Sequence, residues 1–249
     1  MKVLGINGGP RKGKISKTTM LLEAFIEGCQ SAGAETNIIN LREKDIKQCN
    51  GCYSCWVKTP GKCIQKDDMQ EILKLHEEVD LLVWATPLYF FGPTSLFKKY
   101  LDRTLPVAEP QIALKDGLCT HPCRTGKIPD KVIISVAGFY ELDHFGPLSA
   151  MFHYMEGRGF GRIKAEIYRP SAEFMSAPQL KEKVEEILEA TRQAGREMVE
   201  LGQIREDTMK AIQQDFMDKE SFIKFANQYW EWDMKRWAEK LKKDRQETS

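Results

Sequence analysis

The sequence predicts an α/β fold, a doubly wound parallel sheet of five strands with a helical C-terminal extension. Two observations point there. Short apolar runs alternate with segments of helical periodicity along the first 170 residues, which is how βαβ units read. One run, Val79 to Thr86, is apolar almost without interruption, the pattern of a strand covered on both faces, so the sheet is parallel and sandwiched between helices.

Lys2 to Asn7 is the first strand, closed by the turn residues Gly8-Gly9-Pro10, and Thr18 to Ala32 follows with helical spacing through Leu21, Leu22, Phe25 and Ile26. Thr36 to Leu41 is the second strand. Asp67 to Glu77 has Met69, Ile72 and Leu73 on one helical face, and the third strand stops at Pro87 before a helix from Thr94 to Arg103. Lys131 to Gly138, Pro147 to Gly157 and Arg162 to Tyr168 complete the pattern as strand, helix and strand. Leu105 to Asp130 is rich in Pro and Gly, a length of connection that serves as a flap or an interface loop. The expected division is a domain over 1–177, with a Cys-rich insertion at 49–63, and a helical extension over 178–249. The last helix, Lys219 to Lys242, carries Phe222, Phe225, Tyr229, Trp230, Trp232 and Trp237 among charges, a stripe suited to packing on its own domain or a partner subunit, or to a lid. Lys242 to Ser249 reads as a solvated end.

With 37 basic and 36 acidic residues the net charge is +1, so no overall field draws the chain to nucleic acid or an anionic membrane. No apolar run approaches the roughly 18 residues of a membrane span, and none near Met1 is long enough for a signal-peptide core. The expectation is a cytoplasmic protein whose seven cysteines are thiols.

Asn7 to Thr19 lies where an open α/β sheet binds ligands, at the carboxyl end of the first strand and the start of the first helix. Free helix-start amides, the helix dipole and the hydroxyls of Ser16, Thr18 and Thr19 can surround a phosphate. Gly8, four residues and Gly13-Lys14 nearly spell a nucleoside-triphosphate loop, but Ile15 stands where that loop needs Ser or Thr for magnesium, and Pro10 removes an amide.

Asn7-Gly8-Gly9-Pro10-Arg11-Lys12 with Ser16 and Thr18-Thr19, Cys63 with Asp67-Asp68-Met69, Ala85 through Gly92, and Lys98 with Asp102-Arg103 together resemble the NADPH-dependent FMN reductase and iron-sulfur flavoprotein families. The resemblance covers about the first 170 residues and implies a flavodoxin-like fold. It also implies that Arg11, Ser16, Thr18 and Thr19 bind the FMN phosphate, while Pro87, Leu88, Tyr89, Phe90 and Gly92 border the isoalloxazine. Ala137, Gly138 and Phe139, after the fourth strand, suit the other edge of the ring. Tyr89-Phe90-Phe91 could instead plug the gap between strand and helix. Asp102-Arg103 reads as a structural helix-end pair. Lys14-Ile15-Ser16-Lys17 departs from the usual Gly-Asn-Thr style of phosphate loop.

Cys49, Cys52, Cys55 and Cys63 form C-x2-C-x2-C-x7-C, which lets four thiolates converge on a cluster or a tetrahedral metal. The iron-sulfur flavoprotein resemblance implies a [4Fe-4S] cluster feeding FMN; zinc and unmetallated thiols are the alternatives. Cys29 reads as a buried apolar residue, Cys119 through Cys123 as ordinary loop, and His144 and His153 as satisfied surface or core residues, with a place near the ring as the alternative.

The function expected from all this is an FMN-dependent oxidoreductase that uses NAD(P)H to reduce flavin, quinone or a similar acceptor. In that case the flavin does the chemistry and no side chain is catalytic. The alternatives are an iron-sulfur flavoprotein relaying single electrons from a ferredoxin-like donor, and a zinc-dependent binding module without catalysis. The resemblance and the aromatic tail favour a homo-oligomer, with a small molecule or a protein as electron acceptor.

Overall fold

The computed structural model describes residues 1–247, without the side chains of Lys14 and of 243–247; Thr248 and Ser249 of the expected solvated end lie outside the described residues. Five parallel strands form the sheet: β1 (Lys2–Asn7), β2 (Glu35–Asn40), β3 (Leu81–Pro87), β6 (Asp130–Val136) and β7 (Ile163–Arg169). Their order is β2-β1-β3-β6-β7, a flavodoxin-like doubly wound arrangement with crossovers in both directions from β1.

The helices are α1 (Lys17–Ser31), the short α2 (Ser54–Val57), α3 (Met69–Glu78), α4 (Ser95–Asp102), α5 (Gly146–Gly157), α6 (Lys181–Leu201), α7 (Glu206–Gln213) and α8 (Lys219–Glu247). The sheet's two faces are read off alternate residues. Leu4, Ile6, Leu82, Trp84 and Ile133 share one core cluster with Ile72 of α3, Phe97 and Tyr100 of α4, and Leu148 and Phe152 of α5. On the other face, a Cβ at Gly5 would meet Leu22 of α1 at 3.2 Å.

The 178–214 stretch packs with the sheet domain. A Cβ at Gly28 of α1 would lie 1.9 Å from the Arg192 carbonyl oxygen of α6, and one at Gly195 would lie 2.1 Å from that of Phe25. Only two glycines let these helices approach so closely. The chain separates into a unit spanning Met1–Gln214 and a second, Asp215–Ser249. Within the second unit, Asp218 caps α8: its carboxylate accepts from the Ser221 amide at 2.9 Å and hydroxyl at 2.8 Å. Arg236 lies over the Trp232 ring at 4.9 Å and Lys240 over Trp237 at 4.8 Å.

The long connection holds one small antiparallel hairpin, β4 (Ala113–Lys115) and β5 (Leu118–Thr120). Asp116 and Gly117 turn it at positive φ, 50° and 78°. Among the described residues no helix is long and apolar enough to cross a membrane.

Candidate functional site

The loop after β1 is folded by short polar side chains. The Gly8 amide donates to the Ala85 carbonyl at 2.7 Å and the Thr94 hydroxyl donates to the Gly8 carbonyl at 2.7 Å, so the loop is pinned to β3 and to the start of α4. Gly8 has no alternative, since a Cβ there would meet Phe97 at 2.7 Å. The Asn7 side chain accepts from the Gly9 amide at 2.9 Å and donates to the Thr19 hydroxyl at 2.9 Å. Ser16 caps α1, its hydroxyl accepting from the Thr19 amide at 3.2 Å and the Thr19 hydroxyl at 2.9 Å. The first-turn amides of Lys17 and Thr18 have no carbonyl one turn earlier to bond, and no acidic residue stands in that turn. An anion placed there meets aligned donors and the positive end of the helix dipole.

A pocket opens over this loop and brings together Arg11, Ser16, Thr18, Pro87, Leu88, Tyr89, Ala137 and Gly138, eight of the residues expected around phosphate and ring. Lys17 and Glu173 also line it. Neither was anticipated from the sequence: a lysine in the loop looked dispensable, and Glu173 lies far away in the chain. The Arg11 guanidinium donates to Glu173 at 2.8 Å. Buried Lys17 donates to the Ile15 carbonyl at 3.1 Å and to the Ser176 hydroxyl, and its burial lowers its pKa against the opposing pull of Glu173. Thr19 lies beneath the surface, and Phe90, Gly92 and Phe139 are outside the pocket wall.

The loop after β3 is a two-residue hairpin in which Tyr89 and Gly92 exchange both backbone hydrogen bonds, at 2.9 and 3.0 Å. Its central residues, Phe90 and Phe91, both have positive φ, 48° and 61°. That geometry throws Phe90 wholly into solvent, at 103% exposure, so the segment is not a buried plug. The Phe91 ring instead meets His144 at 5.9 Å, and Phe139 lies on the same imidazole at 4.6 Å. His144 thus joins the aromatic rim through Phe139 and Phe91, whereas His153 bonds Glu156 at 2.9 Å.

The cysteine segment stands apart from this pocket. Cys55 is buried and its thiol pKa is raised, by burial first and then by Cys63, with Cys52 and Cys49 adding to it. Among the described residues, no three His, Cys, Asp or Glu groups converge tightly enough to hold a metal ion. Trp56 ties the segment to the flap, its indole donating to the Leu105 carbonyl at 3.2 Å and meeting the His121 ring, tilted, at 4.8 Å. Asp102 and Arg103 close α4 and each makes an ion pair elsewhere: Asp102 accepts from Lys98 at 2.6 Å, and Arg103 turns inward to Asp67 at 2.6 Å. Cys29 bonds the Gly195 carbonyl at 3.5 Å, and burial pushes its thiol up to about 12.

A loop suited to an anion and an aromatic rim thus stand together at the carboxyl edge of a parallel sheet, where open α/β folds bind ligands. Residues 1–116 match the model of the family described as NADPH-dependent FMN reductase, the family that the sequence motifs resemble. An iron-sulfur flavoprotein from Archaeoglobus fulgidus is 39% identical over 107 residues, 43% of this chain and 46% of that protein. One from Methanocaldococcus jannaschii is 38% identical over 107 residues, 43% and 53% of the two chains. The chain thus spans about half the length of these curated relatives. Among solved structures, an FMN-dependent NADH-azoreductase from Bacillus anthracis in complex with FMN superposes with a TM-score of 0.60 at 16% identity, covering 80% of this chain and 99% of that one. An NAD(P)H:quinone oxidoreductase from Methanothermobacter marburgensis superposes at 0.58 with 21% identity, covering 80% and 96%. These likenesses establish the flavodoxin-like fold.

Proposed function

We propose that this chain binds FMN and works as an FMN-dependent oxidoreductase that takes reducing equivalents from NAD(P)H and passes them to flavin, quinone or a similar acceptor. The observation that carries the reading is that the capped loop and the Pro87–Tyr89 wall open into one pocket at the carboxyl ends of β1, β3 and β6. Bound there, FMN would supply hydride acceptance and one-electron steps. The protein's part is orientation. The Ser16 hydroxyl, the Lys17 and Thr18 amides and Arg11 suit a phosphate, with Thr19 bracing Ser16 from below. Pro87, Leu88, Tyr89, Ala137 and Gly138 suit a flat ring system, and Phe90, Gly92 and Phe139 shape the loops beside it. The matched family and the flavoprotein relatives support the same reading.

A second reading adds a [4Fe-4S] cluster on Cys49, Cys52, Cys55 and Cys63 and makes the protein a relay of single electrons to a small-molecule or protein acceptor. It is supported by the C-x2-C-x2-C-x7-C spacing and by the relatives called iron-sulfur flavoproteins. A homo-oligomer is supported by the exposed Tyr229, Trp230, Trp232 and Trp237 of α8.

An anaerobic absorption spectrum of the purified protein supplied with FMN, with iron and sulfide assays, tests both readings. Flavin bands near roughly 375 and 450 nm that bleach with NADPH support the first, and about four irons per chain under a broad brown shoulder supports the second. Protein that retains no FMN rejects the first.

A further inference from the structure

β7 ends in a wall of the pocket that lies 162 residues along the chain from Arg11, the residue it meets. The chain turns at Ser171, where φ is 53°, into a single helical turn, Ala172–Ser176. That turn is pinned to the loop after β6: the Ser171 amide donates to the Phe139 carbonyl at 2.6 Å and the Ala172 amide to the Ala137 carbonyl at 2.9 Å. Ala172 and Met175 are buried. Glu173 is therefore carried on a fixed piece of backbone, and its side chain lines the pocket.

A carboxylate in a pocket suited to an anion is out of place on charge alone. Among the described residues that line the pocket, Arg11 and Lys17 are the cations and Glu173 is the one anion. Glu173 Oε1 accepts from Arg11 Nη1 at 2.8 Å, and the two side chains are 57% and 50% exposed. Its charge also acts on buried Lys17, whose ammonium bonds Ser176 in the same turn. An ion pair as exposed as this one adds little to stability, so the fold gives it no evident purpose. A ligand feels it strongly. The carboxylate offsets one of two positive charges, and its repulsion of an entering anion grows with the charge of that anion. A phosphate monoester carries about 1.5 to 2 negative charges near pH 7, and a chain of two or three phosphoryl groups carries more. The first loop does not draw that distinction by its outline, because Gly8 through Gly13-Lys14 comes close to a triphosphate loop.

We infer that Glu173 is a specificity-determining residue that limits this site to a single phosphoryl group and turns away inorganic pyrophosphate and nucleoside di- and triphosphates. The inference rests on the phosphate reading of the first loop. Selectivity of this kind needs a repulsive element beside the attractive ones. Ser16, the helix-start amides and Arg11 attract any phosphoryl group, and the carboxylate sets how much charge they can hold. Ile15 offers no hydroxyl to a magnesium ion that would neutralise the extra charge of a polyphosphate.

The test measures the affinity of the full-length protein for inorganic phosphate and inorganic pyrophosphate by titration calorimetry near pH 7 and at low ionic strength, in wild type, E173Q and E173D. Circular dichroism checks that the variants are folded. Wild type is expected to prefer phosphate. E173Q, which keeps the shape and loses the charge, is expected to bind phosphate about threefold and pyrophosphate about tenfold more tightly, and both gains should shrink as salt is added. E173D, which keeps the charge, is expected to keep most of the wild-type ratio. An unchanged ratio of the two affinities in E173Q overturns the inference, as does a ratio in E173D that moves as far as in E173Q, which would trace the selectivity to shape. Binding of neither anion by wild type and E173Q overturns it too. Failure of the phosphate reading itself shows separately, as wild type that binds riboflavin as tightly as FMN; tighter FMN with an unchanged anion ratio in E173Q keeps the phosphate site and rejects only the role of Glu173.

Discussion

The loop after β1 and the cysteine segment after β2 both leave the carboxyl edge of the sheet, yet they are secured in opposite ways. The first is held along its length by neutral hydrogen bonds from Asn7, Ser16 and Thr94, which use short side chains. The second is held at its base by a buried ion pair and carries its thiols beyond that anchor. A loop that must offer its own backbone to a ligand has to be rigid throughout. A loop that offers side chains needs only its ends fixed, and one strong pair does that.

The contrast breaks most visibly at Asp67. Asp67→Ala leaves Arg103 buried without its partner, and loss of one member of such a pair costs about 3–5 kcal/mol. The loss should appear as a lower urea midpoint at pH 7. Burial opposes ionisation of Asp67, but Arg103 and the Lys47 and Met69 amides outweigh it and hold its pKa below the ordinary carboxylate value. A carboxylate depressed in the folded state stabilises in full above its unfolded pKa of about 3.9, and that contribution is lost as pH falls through the folded value. The gap between wild type and variant should therefore be full at pH 7 and shrink well below pH 4. A gap that stays constant to pH 2 would show that the pair is not what anchors the segment.

Ser16→Ala is the corresponding cut in the first loop and should be milder. Losing an N-cap costs about 1 kcal/mol of stability. If the loop also holds phosphate, the variant should bind FMN about tenfold more weakly, roughly 1.4 kcal/mol, and leave riboflavin, which has no phosphate, unchanged. Flavin fluorescence quenching measures both. Equal weakening of the two ligands would move the phosphate elsewhere.

What could be read in advance follows the range of the interactions. β1 has the expected bounds, Lys2–Asn7, and the other sheet strands lie within two residues of expectation, because burial on both faces writes itself locally as apolar runs. The four cysteines declare themselves by spacing. The hairpin β4–β5 was legible in principle, since Asp116-Gly117 is a hairpin turn pair, but its three-residue strands are too short to show alternation. The close packing of α6 on α1 was hidden, because it depends on Gly28 and Gly195, which are remote in the chain and unremarkable in their own helices. The same holds for Arg103 and Asp67, whose attraction overrides the adjacent Asp102.

The smallest expected effect concerns Phe90-Phe91, where two bulky residues take a conformation that hairpins ordinarily give to Asn-Gly. A side chain at positive φ costs of order 1–2 kcal/mol per residue, and Phe90 recovers little of it by burial because it stands in solvent. The double replacement Phe90→Asn, Phe91→Gly should therefore raise stability, by about 1 kcal/mol after the loss of the Phe91 contact with His144. If the aromatic pair is kept to meet an acceptor, the more stable variant should still bind FMN but reduce a bulky quinone several-fold more slowly, with ferricyanide reduction unchanged. Equal quinone rates in the stabilised variant would show that the rim takes no part in turnover, and would leave the first loop and the Pro87–Tyr89 wall as the whole of the site.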